Sequence, residues 1–468
     1  MVLTGLSFQR VFPRAVLTLF SLVSLSFLRA QTESVAGTMP EDYLPQLKPI
    51  LARAMQLSPD RVVKLLEIEH QEARVIIARA PQLPQVGGSF RYGITESAIT
   101  RAASEDSKSS GSGFFYDASA NQAIYHWGAL KNAADIERLR LLITRKDTVR
   151  ASRDLAVLLR KMYLSLVIQK AQLLAGRRAL RLLDDELAVL AIRLEQGFTS
   201  PASVEGRKLD RREQQLAVDR VEADFAADRR RLSRLAGLPQ LLGEEDVPAT
   251  LAKPSYSEPT TAQMTAKLLR ENAQSTLEYE IYDLRVRAAL KQEKIEAVRL
   301  FPKFGANVSY SLQNNTSVEA GRTNQEAVRV QSASVGGNWP IFDGFATKGA
   351  KREALVARRL AEFQRTTGTE TLMQNAQILQ RALKLDREQM ELTEIRQAMA
   401  TDIRRRAAEE AELGKLARAE IERAEVGVLN AEVATIVHRV AFLVHWSEFV
   451  AVAGNDPVLT QLPASNAR

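Results

Sequence analysis

The sequence contains the same series of short segments twice, about 217 residues apart. Leu83-Pro84 returns as Phe301-Pro302, Trp127-Gly128 as Asp343-Gly344, Gln196-Gly197 as Leu413-Gly414, and Ala236-Gly237 as Ala453-Gly454. Four recurrences in the same order and at nearly constant spacing indicate an internal duplication. A duplicated unit of this length predicts two similar structural halves rather than one catalytic domain. We place the first repeat at residues 31–250, the second at 251–454 and a C-terminal tail at 455–468.

The first thirty residues have the features of a secretory signal peptide. Arg10 and Arg14 precede an apolar run from Val16 to Phe27, and the small Ala30 stands before the polar Gln31. This order of charge, apolar run and small residue directs export. An N-terminal membrane anchor is the alternative, but the run is short for a bilayer span. Without residues 1–30 the net charge falls from +8 to +5, which argues little for a nucleic-acid partner.

Two absences in the sequence narrow the class of protein further. The chain has no cysteine, which excludes disulfides, cysteine metal ligands and a lipid-modified cysteine. After the signal there is no uninterrupted run of about 18 apolar residues, so we expect no membrane-spanning helix. An exported chain of this kind is periplasmic, secreted or an outer-membrane β-barrel, whose strands give only a weak alternating signal.

Each half contains two segments in which apolar and polar residues alternate, the pattern of a half-buried strand. Both a soluble sheet and a membrane barrel fit this pattern. We expect polar loops at 97–112 and 314–325, and an end to the fourth strand at Pro340. The apolar faces are Val86, Phe90, Tyr92 and Ile94; Phe114, Tyr116, Ala118, Ala120 and Ile124; and Phe304, Ala306, Val308, Tyr310 and Leu312, with a less regular run from Ala327 to Trp339.

Long helices follow the strands in each half. Residues 129–196 contain no proline and repeat leucine every seven residues, which predicts a coiled-coil seam. A dimeric zipper with a basic DNA-binding arm would need a Lys/Arg-rich helix before the heptads and no export signal, and neither condition holds. The seam residues are Leu159, Leu166, Leu173, Leu180, Leu187 and Leu194 in the first half and Ile378, Leu385, Leu392 and Met399 in the second.

The long helices end at sharp turns. Gly197 is followed by Phe198, Thr199, Ser200 and Pro201, and glycine after a helix with proline at the next start are stop and start signals. Gly414 occupies the same place in the second half. An ordinary helical hairpin is the simpler interpretation, but it does not explain why both turns are in register.

Four strands cannot close a barrel alone. In a membrane they would leave two edges whose unpaired backbone groups cost several kcal/mol each. The membrane interpretation therefore requires several copies of the chain to share one barrel. Their polar faces would then line a pore that the long helices continue into the periplasm.

With these features in place, the mature chain from Tyr43 to about Gly454 resembles the TolC-like outer-membrane efflux proteins. The resemblance implies an α+β membrane protein with long antiparallel coiled-coil helices and four β-strands per chain in a trimeric 12-stranded β-barrel. It implies an outer-membrane channel of a tripartite efflux or type I secretion system that conducts cargo passively. The implied partners are a homotrimer, a periplasmic adaptor (membrane fusion) protein, an inner-membrane pump reached indirectly and outer-membrane lipid. No enzyme activity, cofactor or nucleic acid is implied.

The resemblance also assigns roles to residues at the turns. The adaptor-docking hairpin tips are Gly197, Phe198, Thr199, Ser200, Gly414, Lys415 and Leu416. The candidate entrance gate is Glu409, Glu410, Glu412, Glu420 and Arg423. Glu420 keeps a carboxylate of the family's entrance ring and Arg423 departs from it, while Ala411 and Leu416 replace the tyrosine and arginine of the family's lock. Solvation of a helix end is the alternative role for the glutamates.

Other candidate chemistry is sparse. The four histidines, His70, His126, His438 and His445, do not form a zinc-ligand pattern. The basic runs Arg229-Arg230-Arg231 and Arg404-Arg405-Arg406 are best explained as salt-bridged helix faces. No phosphate loop, nucleophile elbow or metalloprotease motif is present. The alternatives to a channel are a soluble periplasmic coiled-coil adaptor or structural protein, and an exported enzyme.

Overall fold

The computed structural model describes residues 39–101, 104–319, 322–454 and 456–460. The predicted signal peptide, residues 1–30, lies outside the described residues, as does most of the predicted tail. The first half comprises α1 (Pro40–Tyr43), α2 (Leu47–Leu57), α3 (Pro59–Arg79), a 3₁₀ turn (Ala80–Gln82), β1 (Gln85–Arg101), β2 (Ser104–Tyr125), α4 (Ala129–Glu195) and α5 (Pro201–Leu235).

The second half follows the same order from its second helix onward. It comprises α6 (Glu258–Arg270), α7 (Leu277–Ala297), β3 (Lys303–Glu319), β4 (Arg322–Asn338), α8 (Ala346–Glu412) and α9 (Arg418–Val452), and α10 (Pro457–Thr460) comes after it. The long helices α4 and α8 each have 67 residues, and α5 and α9 each have 35. The order of helix, two strands, long helix, turn and helix is the one predicted for each half.

The four strands form one antiparallel sheet in the order β1-β2-β3-β4. Phe90 pairs with Tyr116, and Tyr116 pairs in turn with Leu312, so the predicted apolar faces of three strands lie in register. Among the described residues β1 and β4 each have one paired neighbour, which leaves two open edges on the sheet.

The polar loops predicted at 97–112 and 314–325 are wrong. β1 runs to Arg101 and β2 begins at Ser104, while β3 runs to Glu319 and β4 begins at Arg322. An antiparallel ladder is made by backbone groups, so polar side chains do not prevent pairing. β2 pairs with β3 only from Ser110 onward, so the first hairpin extends beyond the second.

Four helices lie side by side below the sheet in the order α3, α4, α7, α8. Ion pairs mark each junction: Glu72 with Arg145 at 2.8 Å, Asp135 with Lys291 at 3.1 Å, and Glu293 with Arg358 at 2.9 Å. α3 and α8 are therefore the outer helices of this layer, on the same sides as β1 and β4. Farther along, α5 packs against α4, and α9 packs against both α4 and α8.

The heptad prediction is correct for part of α4 and wrong for α8. Leu159, Leu166 and Leu173 are buried in the core. In α8 the buried heptad row is Ala376, Leu383 and Met390, whereas the predicted row is exposed in the single chain: Ile378, Leu385, Leu392 and Met399. Because α8 carries two apolar rows, residue type alone does not tell which row packs within the chain.

The core is densest where the middle of α4 meets α9. Tyr163, Phe442 and Phe449 are fully buried there. Arg160 is also fully buried, and it forms ion pairs with Glu41 at 2.7 Å and Asp456 at 2.6 Å. Both ends of the described chain are thus tied to the centre of α4.

We expected no membrane-spanning helix, and among the described residues one helix passes a test of length and apolar composition for such a span. The described segment Ala419–Val452 is long and apolar enough by that measure alone. Its apolar residues Phe442, Leu443 and Phe449 pack in the core beside α4.

Candidate hairpin tips and channel entrance

The two tips have the same backbone geometry. Gly197 and Gly414 adopt φ values of 77° and 72°, a left-handed conformation that favours glycine. The amide of Phe198 donates to the carbonyl of Arg193 at 2.8 Å, and that of Lys415 to the carbonyl of Glu410 at 2.9 Å. These bonds close the last turns of α4 and α8 and reverse the chain at the predicted positions.

The tips differ in how the next helix begins. Ser200 caps α5, since its Oγ accepts a hydrogen bond from the Ser203 amide at 3.2 Å, and Pro201 follows. Ala417 precedes α9 without a side-chain cap. The start of α5 is therefore better fixed than the start of α9.

Apolar side chains project from both tips. Phe198 at the first tip and Leu413 at the second are largely exposed. An exposed aromatic side chain beside a rigid turn is a suitable anchor for a protein partner. The described residues of the tips form no enclosed cavity around either side chain.

Arg423 joins two carboxylates near the second tip. Its guanidinium donates to Glu186 of α4 from Nε at 2.9 Å and from Nη2 at 2.7 Å, and it also pairs with Glu420 one turn earlier in α9. The hydrogen bond to Glu186, then its negative charge, raises the pKa of Arg423 above its ordinary value. Glu420 therefore carries a partly neutralised charge.

A second ion pair joins the same two helices. Arg178 of α4 donates to Glu425 of α9 at 2.7 Å, and this hydrogen bond raises the pKa of Arg178. Glu186 is also within 3.3 Å of Arg207 of α5. Sequence reasoning missed Glu186, Arg178 and Glu425, because the register between α4 and α9 cannot be read from either helix alone.

The other predicted gate residues lie at the end of α8. Glu409 pairs with Arg405 at 2.7 Å, while Glu410 and Glu412 are exposed. The structure thus brings Glu420 and Arg423 together and leaves the three glutamates of α8 on the helix surface. Within the described parts of the chain, no group of three His, Asp or Glu side chains could hold a metal ion.

Comparisons with known proteins agree with this architecture. Residues 50–243 match the family model "Outer membrane efflux protein". No curated protein matches the chain.

Solved channel structures share the fold over nearly its whole length. The Campylobacter jejuni CmeC outer membrane channel is 13% identical, with a TM-score of 0.71 over 96% of this chain and 94% of its own. The Vibrio cholerae outer membrane protein VceC is 14% identical, with a TM-score of 0.65 over 89% and 99%. The Neisseria gonorrhoeae MtrE outer membrane channel is 13% identical, with a TM-score of 0.65 over 90% and 92%.

Together, the family match and the shared fold confirm the resemblance of this chain to the TolC-like outer-membrane efflux proteins. The predicted location in the cell outer membrane agrees with the description of the matched family.

Proposed function

We propose that this chain is the outer-membrane exit duct of a tripartite efflux or type I secretion system. It conducts cargo passively from a periplasmic adaptor and an inner-membrane pump to the exterior. It carries out no covalent chemistry, and no step in this role requires a cofactor.

The open sheet is the observation that carries the proposal. Its outer strand β1 exposes Val86, Phe90 and Ile94 along one face, as a lipid-facing strand does. Among the residues that the structure describes, its two edges leave backbone donors and acceptors without strand partners, which lipid does not tolerate. Closure with further copies satisfies both edges, and three copies of four strands give the twelve-stranded barrel of a homotrimer.

The tips are the proposed contact with the adaptor. Gly197 and Gly414 set the turns, and Phe198 and Leu413 project from them. At about 1.5 Å per residue, the 67 residues of α4 hold these turns on the order of 100 Å from the sheet. The inner-membrane pump is then reached through the adaptor rather than directly.

We further propose that the start of α9 lines the channel entrance. Glu420 and Arg423 lie on successive turns, and Arg423 ties α9 to α4 through Glu186. A ring of three such sites would place fixed charges where the tunnel is narrowest, and their balance would set the ion preference. Glu409, Glu410 and Glu412 would add negative charge beside this ring.

Single-channel recording in planar bilayers tests the proposed function. Protein extracted from outer membranes in mild detergent is expected to produce discrete, long-lived conductance steps. The same preparation after heat dissociation is the control and should give none. A protein that needs no detergent and gives no conductance would instead support the soluble periplasmic alternative.

A further inference from the structure

The two halves of the chain meet along α4 and α7. Ile281 and Leu284 of α7 are buried in this seam, with 1% and 8% of their surfaces exposed. Arg153 of α4 pairs with Glu278 of α7 at 2.6 Å, and Lys146 of α4 pairs with Glu280. This internal seam shows how the first half of the chain packs on the second, and it serves as a template for the contact between two copies.

The residues of α3 equivalent to this seam are uncovered. Counted from the first residue of each helix, Val63 and Leu66 of α3 stand where Ile281 and Leu284 stand in α7. They are 54% and 56% exposed. Val62 stands in the place of Glu280. We call Val62, Val63 and Leu66 the α3 stripe.

A matching stripe lies on α8. Val356 and Leu360 of α8 stand where Leu139 and Ile143 stand in α4, and Phe363 stands in the place of Lys146. Val356 is 54% and Leu360 53% exposed. We call Val356, Leu360 and Phe363 the α8 stripe. The two stripes are on the outer helices, on the same sides as the open sheet edges β1 and β4.

We propose that the α8 stripe of one copy packs on the α3 stripe of the next copy, and that Arg61 pairs with Glu370 across this contact. The proposal rests on the shared barrel of the proposed function, and it names the surface and the ion pair that join the copies. Closing the sheet edge β4 against β1 of the next copy carries α8 toward α3, as the internal sheet carries α4 to α7.

The charges of this contact differ from those of the template. The positions equivalent to Arg153 and Glu278 are Glu370 and Asp60, two carboxylates that would repel each other. Arg61 follows Asp60 directly and provides the missing cation. The contact between copies then has an ion pair at the same level as the internal seam, with the signs exchanged.

Arg61 lacks an acidic partner inside the described chain. One guanidinium nitrogen donates to Ser152 Oγ at 3.3 Å, but its Nε is buried without a hydrogen-bond partner, and burial lowers the pKa of Arg61. Within the described residues Glu370 is exposed and forms no ion pair. A half-buried arginine without a carboxylate is costly, and the carboxylate of the next copy would relieve that cost.

The apolar positions also support a second copy as the occupant. Where the internal seam has the Lys146–Glu280 ion pair, the proposed contact has Phe363 against Val62. Replacing an exposed ion pair with apolar side chains suits a surface that becomes buried on assembly.

Cysteine cross-linking tests the contact directly, because the chain has no native cysteine. The double variant Val62→Cys/Phe363→Cys, oxidised in the assembled channel, is expected to give species of two and three chains on non-reducing gels. The matched control is Lys146→Cys/Glu280→Cys at the equivalent internal positions, which should cross-link within one chain. Cross-linking of the control alone would overturn the proposed contact.

Charge reversal tests the ion pair. Arg61→Glu and Glu370→Arg should each speed subunit exchange between labelled oligomers by about tenfold or more, since like charges then face each other. The double variant Arg61→Glu/Glu370→Arg should return the exchange rate most of the way to the wild-type value. Lys294→Glu, at an exposed position of α7, is the control and should change nothing. A double reversal no better than the single ones would contradict the pairing.

The outcomes separate this inference from the proposed function. A wild-type protein that is monomeric and does not conduct would contradict both the proposed channel function and the proposed contact between copies. A conducting trimer whose Val62→Cys/Phe363→Cys variant fails to cross-link would remove only this contact and leave the channel intact.

Discussion

Arg423 determines how much charge the proposed entrance can present. It pairs with Glu420 in its own helix and with Glu186 in α4, so one cation serves two carboxylates. Exposed pairs such as Arg423–Glu420 contribute little to stability, about 0.2–1 kcal/mol each. Their effect on permeating ions is larger, because a ring of copies concentrates fixed charge in a narrow opening.

Opposite changes at Glu420 and Arg423 should therefore have opposite effects on ion selectivity. We expect Glu420→Gln to lower cation preference, because Arg423 is left with excess positive charge. We expect Arg423→Gln to raise it, because Glu420 and Glu186 are then unneutralised. Reversal potentials in a salt gradient measure both. Glu388→Gln, an exposed acid on α8, is the control, and equal selectivity in all three variants and wild type would remove the proposed ring.

Arg160 is a second residue whose charge decides local structure. Burial alone would lower the pKa of Arg160, but hydrogen bonds with Asp456 and Glu41 outweigh burial and raise it. The guanidinium therefore remains charged inside the core. Removing one member of such a group leaves uncompensated buried charge.

We expect Arg160→Met to lower the free energy of unfolding by about 3–5 kcal/mol. The triple variant Arg160→Met/Glu41→Gln/Asp456→Asn should recover much of this loss, because no buried charge remains. Thermal unfolding in detergent, followed by circular dichroism, measures the changes. Arg220→Met on the exposed side of α5 is the control. A triple variant less stable than Arg160→Met would show that the pairing itself stabilises the core.

Residue-scale features differ in how well the sequence predicts them. The turns at Gly197 and Gly414 can be predicted from neighbouring residues alone, because glycine directly after a helix is a helix-stop signal. In the structure both glycines adopt the left-handed conformation. The ion pairs of Arg160 with Glu41 and Asp456, and of Arg423 with Glu186, join residues more than a hundred positions apart. Only the packing register of the helices brings those partners together.

At the scale of elements, the two tips are stiff turns that fix where the hairpins end. The carbonyl of Arg193 and that of Glu410 each accept the amide beyond the glycine. Tip geometry therefore depends on the left-handed glycine, whereas Gly206 inside α5 has an ordinary backbone angle and open space around it.

We expect Gly197→Ala to destabilise the first tip by roughly 1–2 kcal/mol, because a side chain disfavours the left-handed conformation. The loss should appear as faster hydrogen exchange at the ends of α4 and α5, with little change in the overall melting temperature. Gly206→Ala is the matched control and should stabilise α5 by roughly 0.5–1 kcal/mol. Equal exchange at the tip in both variants would argue against a turn held by the glycine.

Elements were predicted well where one pattern dominated and poorly where two competed. The alternating runs predicted all four strands. Their polar ends were predicted as loops because the side chains there are polar, but the backbone groups of these ends pair with the neighbouring strand. In α8 the row from Ile378 to Met399 was chosen over Leu383 and Met390, which are the ones buried within the chain. A helix with two apolar rows has a second surface to cover.

At the scale of the whole molecule, the proposed assembly completes what the single chain leaves open. The part of the chain that the structure describes has two open sheet edges, and exposed apolar stripes on α3 and α8 on the same sides. The sequence predicted the four strands per chain and the need for several copies, because four strands are too few to close a barrel and satisfy their own edges in lipid. The helix faces that we propose to join the copies could be chosen only with the internal seam between α4 and α7 as a guide.

The mass of the assembled protein tests the central claim most directly. Protein from the outer-membrane fraction, held in mild detergent, should show by light scattering a protein mass of three chains after subtraction of the detergent. This result would support one barrel closed by three copies. A soluble single chain that needs no detergent would contradict the account and assign the four-stranded sheet to the periplasm.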